Sequence, residues 1–263
     1  MEKIMLDLGF QKVADRQYSI ATDQSFWNFT SAFGGWVAAV AIAAVKIDGE
    51  FRGEIITKQM QFMAPVKGEQ INVTISLQAR RSKIDFWRVT VSDTEEKMLV
   101  TADIVAGERS DTDLSYNAVA PKTDAADNYT PLEASMMTPS WFSSFEQYMV
   151  KGSPGSINNQ PKSIVLLRTK QWSNLDSSVL AMICDTPMPR TFFASEKLRF
   201  ASTISLATHI YGSDVQISDS GQDFMTVETN SAAIRNNTAN QEVRIFRSDG
   251  LLLATSYQTS IFR

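Results

Sequence analysis

The chain has 263 residues, 43% hydrophobic and 21% charged, with a formal net charge of −4. That is enough apolar material for a real core, in one large domain or two smaller ones, and the acidic balance argues against nucleic acid or an anionic membrane as a main partner. The lone Cys184 rules out an intramolecular disulfide and fits a reducing compartment. The start, MEKIMLDLGF, lacks the basic head and long apolar core of a signal peptide. No apolar run approaches the ~20 residues that span a bilayer, so a soluble, cytoplasmic protein is expected.

In chain order, residues 1–30 are mixed, and Tyr18-Ser19-Ile20 is the one hint of an opening strand. Phe33–Val45, FGGWVAAVAIAAV, is alanine-rich and apolar on every side, which predicts a helix wrapped by other structure. Gly34 and Gly35 at its start let a backbone or a ligand approach closely. Ile55–Pro65 follows, and then Ile71, Val73, Ile75 and Leu77 alternate with polar residues at the period of a half-buried strand. Phe86–Val91 and Leu99–Ala106 read as two more strands. From Gly107 to Pro139 the periodicity is lost and turn-forming residues gather, so this stretch reads as a surface linker.

The pattern then returns. Phe142–Met149 and Ile164–Leu167 read as strands leading into a second apolar run, LDSSVLAMICD (Leu175–Asp185). Asp176, Ser177 and Ser178 suit a helix start, and Pro187 and Pro189 stop the helix soon after Asp185. A carboxylate in the last turn of a buried helix meets the negative end of the macrodipole and a medium that disfavours its charge. Asp185 therefore sits either in a wet turn before Thr186-Pro187 or at a functional site. Leu198–Tyr211, Phe224–Thr229, Gln241–Phe246 and Leu251–Ile261 read as strands after the helix, with Asp249-Gly250 as a hairpin signal. KMLVTADIVAGER (97–109) aligns with LLLATSYQTSIFR (251–263), pairing Thr101 with Thr255 and Arg109 with Arg263. The chain thus reads as an internal duplication.

These blocks resemble a known family. FGGWVAAVAIAAV followed by TKQMQFMAPV, then LAMICDTP, STISLATHIYG and SDGLLLATSYQTSIFR, are similar in kind and order to the acyl-CoA thioesterase II-like (TesB-like) proteins. The resemblance implies an α+β double hotdog fold, two repeats each an antiparallel sheet wrapped around a central apolar helix. It places the repeats at 1–115 and 139–263, joined by a linker over 116–138. It implies hydrolysis of acyl-CoA thioesters without a cofactor, in a homo-oligomer (dimer or higher). Carried over by block, the family's Asp falls on Asp185 and its Gln on Gln258. The hydroxyl falls on Thr203, with Ser205 as the alternative; being two apart on a strand, both are expected to face the same way. The family often has Asp where Ser205 stands.

A thioester is a reactive electrophile, so such a site must position a water, take its proton and stabilise an oxyanion. Asp185 suits the base, Thr203 and Gln258 suit the holding of one water, and Gly34-Gly35 at the other helix start suits the oxyanion. In the ungapped repeat alignment Ile104 stands opposite Gln258, which fits one working site per chain. The alternative is a non-catalytic acyl-CoA or acyl-carrier binding protein of the same fold. A hotdog hydratase ranks behind both, since it needs a His beside the Asp. His209 has no G-x-S-x-G partner motif and reads as structural. One Cys and one His cannot build a usual zinc set, so no metal is expected. The loop at 152–156 lacks the Lys of a phosphate-binding motif. Arg80, Arg81 and Lys83 form a small basic cluster, read as a solvated hairpin or a contact for coenzyme A phosphates.

Overall fold

The computed structural model describes residues 8–110, 112–136, 138–157, 161–197 and 199–263. Two apolar helices are wrapped by one antiparallel sheet. The first repeat runs β1 (Gln11–Ala14), β2 (Gln17–Ala21), α1 (Gly34–Lys46), β3 (Glu54–Phe62), β4 (Gln70–Arg80), β5 (Ile84–Ser92) and β6 (Met98–Gly107). A two-residue β7 (Thr130–Pro131) lies inside the stretch read as linker and pairs with the next strand. The second repeat runs β8 (Phe145–Lys151), β9 (Ser163–Thr169), α2 (Ser177–Ile183), β10 (Ala201–Ile210), a short α3 (Asp214–Ser218), β11 (Met225–Asn230), β12 (Ile234–Arg235), β13 (Thr238–Phe246) and β14 (Leu252–Phe262). The strand expected from Leu198 begins at Ala201, and Leu198 lies outside the described residues, as does the start of the MEKIMLDLGF segment.

The strands lie in the order β1-β2-β4-β5-β6-β3-β10-β14-β13-β11-β9-β8-β7, so the halves mirror each other about the β3–β10 seam. Trp36 to Val45 in α1 and every residue of α2 are buried, as sequences without a polar face require. The helices run antiparallel. Asp176 caps α2 by accepting from the Ser178 and Val179 amides at 3.0 and 3.1 Å. Its other oxygen meets Lys46 Nζ, from the last turn of α1, at 3.3 Å. Both side chains of that pair are nearly sealed from solvent. Asp176→Ala removes a cap and strands a buried ammonium, so denaturant unfolding should register a loss of about 3–5 kcal/mol. A loss under about 1 kcal/mol would mean the pair contributes little.

The equivalent strands β3 and β10 carry a β-bulge at the same place. Ile56 is the extra residue between Ile55 and Thr57 in β3, and Ile204 between Thr203 and Ser205 in β10. Across the neighbouring strands Gln61 faces Thr101 and His209 faces Thr255, so the register makes Thr101 and Thr255 equivalent. The repeat alignment holds, and Ile55 and Ile104 are the first repeat's counterparts of Thr203 and Gln258. The linker is strapped down at Asn117, which donates to Gly250 O at 3.0 Å and accepts from Leu252 N at 2.8 Å. In that β13–β14 hairpin only Gly250, at φ +89°, takes the left-handed conformation.

Candidate active site

Asp185 follows α2 directly, and its half-buried side chain meets the first turn of α1 from the other repeat. Antiparallel pairing explains the meeting: the negative end of α2 lies at the positive end of α1. The carboxylate accepts the Gly35 N–H. A Cβ on Gly34 would sit 2.8 Å from Asp185 Oδ2, and one on Gly35 would sit 2.7 Å from Met182 O. The two glycines therefore permit a close approach of helix end to helix start. Gly35 spends its N–H on the carboxylate, where the sequence reading assigns it to an oxyanion.

Gln258 completes the arrangement. Its Nε2 donates to Asp185 Oδ1 at 2.7 Å and to Thr203 Oγ1 at 2.6 Å. Three residues far apart in sequence thus converge through one amide. Accepting from Gln258 leaves the Thr203 hydroxyl proton free to donate elsewhere.

The bulge sets Thr203 and Ser205 on different faces of the sheet. Directly paired residues share a face of the sheet. Leu206 pairs with Gln258, and Thr203 pairs with Ser260, two residues along from Gln258 on β14. Thr203 and Gln258 therefore face inward together. Ser205 pairs with Thr259 on the opposite face. The expectation that the two hydroxyls point the same way is overturned, because Ile204 adds a residue between them and breaks the two-residue period.

Burial is the main influence on Asp185 and pushes its pKa up to about 7. The charge of Lys58, the Gly35 amide and the Gln258 amide pull the other way. Asp185 thus combines a basicity near neutrality with a fixed orientation. Lys58 is absent from the sequence reading: its ammonium is fully buried on the inner face of β3, where the alternation of ITKQMQ gives no sign of it.

The other flagged residues lie elsewhere. His209 pairs with Thr255 and Thr57 on the outer face. Arg80, with Arg52, holds the buried Asp85 at 3.1 and 2.8 Å and also meets Glu50, so it is committed to a structural network. Among the described residues no three His, Cys, Asp or Glu side chains cluster as a metal site, and no helix is long and apolar enough to cross a membrane. Beside Thr186–Met188 lies a narrow cavity of about 10 Å³, bordered by Met149, Val165 and Val227. It has room for about one water.

Two helix-wrapped repeats fused through one sheet, with a carboxylate, an amide and a hydroxyl gathered where the helices meet, define the double hotdog class. Residues 117–262 match the family described as acyl-CoA thioesterase C-terminal domain, and the chain belongs to that family. No curated protein matches the chain by sequence. Among solved structures, a conserved hot dog fold protein of unknown function from Alicyclobacillus acidocaldarius superposes with TM-score 0.91 at 19% identity, over 97% of this chain and 96% of that one. The tesB protein of Mycobacterium avium subs paratuberculosis superposes with TM-score 0.80 at 15% identity, over 97% and 96%. The acyl-CoA thioesterase II TesB2 of Mycobacterium marinum gives 0.75 at 13%, over the same shares. At such identities the likeness speaks for the fold alone.

Proposed function

We propose that the protein hydrolyses acyl-CoA thioesters to free acid and coenzyme A by direct attack of water. The observation that carries this reading is the amide bridge from Gln258 to Asp185 and Thr203. A water held by the Thr203 hydroxyl and Asp185 gives its proton to Asp185 while its oxygen attacks the thioester carbonyl. The oxyanion falls to the amides at the α1 start that Asp185 leaves free, at the positive end of the helix dipole. Collapse expels the thiolate of coenzyme A, which takes the proton back from Asp185. Gly34 and Gly35 keep the approach open. The same reading takes 1–115 and 139–263 as the repeats, 116–138 as the linker, and a homo-oligomer in the cytoplasm as the working form.

The test is a panel of acyl-CoAs with thiol release followed directly. Release from at least one chain length is expected, and binding without release from any would favour an acyl-CoA binding protein instead. In heavy-oxygen water, a single turnover should put label into the free acid and leave the protein unacylated. An acylated protein trapped by rapid quenching would exclude direct attack.

A further inference from the structure

The bulge at Ile56 sets two side chains three residues apart, Ile55 and Lys58, on the same inner face of β3. Their partners on β6, Ala106 and Ile104, are both buried. Across the seam Lys58 faces Thr208, and Met60 faces Leu206, which in turn faces Gln258. Lys58 therefore stands one cross-strand row from the row that carries Gln258. Its Nζ is sealed from solvent with no hydrogen-bond partner, and the hydroxyl of Thr208 opposite is buried against the Cys184 thiol.

Few titratable groups face this ammonium. The end of α2 presents Cys184 and Asp185, β6 presents Ile104, β10 presents Thr208, and β14 beyond it presents Ser256 and Gln258. The inward residues of α1 are apolar. Burial pushes the Cys184 thiol up to about 12, which keeps it uncharged at neutral pH. Among the described residues Asp185 is thus the counter-charge that acts on Lys58. Burial also brings Lys58 down to about 8, so it still carries a proton at neutral pH. The fold does not ask for a lysine here: the equivalent position in the second repeat is Leu206, a buried apolar residue.

We propose that Lys58 is a positioning residue for thioester hydrolysis, its buried ammonium at the seam between repeats supporting the ionised carboxylate of Asp185 against desolvation. The proposal rests on Asp185 being the base, as argued above. In water two charges that do not touch interact weakly, but away from solvent one charge changes the protonation of the other strongly.

The test is Lys58→Leu, which copies the second repeat, with Lys58→Met as a second variant should the leucine variant misfold. The acidic limb of the kcat/KM profile should move upward by one pH unit or more, while alkaline rates return toward wild type. The melting temperature at pH 7 should rise, because a buried ammonium that makes no hydrogen bond is replaced by an apolar side chain. A purely structural lysine would lower the melting temperature and leave the limb in place, which would overturn the proposal. A carboxyl-carbon NMR titration of Asp185 reads the coupling without any substrate. An Asp185 titration unmoved by the substitution would overturn the proposal, and so would a moved titration with an unmoved activity profile. Failure of the reading of Asp185 as the base shows differently, as wild-type turnover in Asp185→Asn, and failure of the hydrolytic reading as binding without thiol release from any acyl-CoA.

Discussion

Asp185→Asn is expected to lower kcat by about 10²–10⁴-fold and leave acyl-CoA binding largely intact, because the amide keeps the shape but cannot take a proton. The same substitution should stabilise the fold at alkaline pH. Asp185 has a folded pKa raised to about 7 from an ordinary 3.8. A raised carboxylate contributes stability that is fully present below the unfolded value and is lost as pH rises through the folded one. Relative to the asparagine variant, wild type should therefore lose stability between about pH 4 and pH 8, by at most about 4 kcal/mol. Thermal melts of both proteins across the window check the sign. Wild-type turnover, or a melting difference that grows toward low pH, would remove Asp185 from the role of base.

Gly35→Ala is the second large effect, and it acts on the helix junction. The new Cβ would meet Met182 O at 2.7 Å and the Phe33 ring at 2.5 Å. The carbonyl is backbone and the ring is stacked on Trp141 at 4.3 Å, so neither yields freely. Overpacking of this kind typically costs about 1–3 kcal/mol. The forced separation also draws the Gly35 amide off the Asp185 carboxylate, and a shift near 1 Å at reacting groups costs about 10²-fold in rate. Gly34→Ala is the contrast. Its Cβ meets a side-chain oxygen, Asp185 Oδ2, at 2.8 Å, so turnover should fall while the melting temperature changes little. Equal melting temperatures and rates for wild type and Gly35→Ala would show that the junction has slack.

The helices were legible because FGGWVAAVAIAAV and VLAMIC have no polar face, and such a segment has few places to go but a core. The repeat was legible because β6 and β14 end in alignable strings. Asp185 and Gln258 were legible through the order of the motif blocks. The bulges were not. STISLATHI reads as an unbroken strand, and an extra residue in it changes no composition, only which side chains face in. That single slip hid the difference between Thr203 and Ser205, and its twin at Ile56 hid Lys58. The Gly35 amide escaped for another reason: its partner comes from the other repeat, and a backbone donor leaves no mark in sequence.

The paired bulges also bear on how such a site can arise. A kink repeated at Ile56 and Ile204 works like a reading frame for the strand, deciding which letters of the chain are spelled into the interior. The two copies share the frame and spell different words: Ile55 and Lys58 in one, Thr203 and Leu206 in the other. Geometry is therefore common property of both halves, and chemistry has been written into it separately. One copy presents the hydroxyl and the other the buried cation, so a symmetric ancestor with identical halves would have lacked this division of labour across its seam.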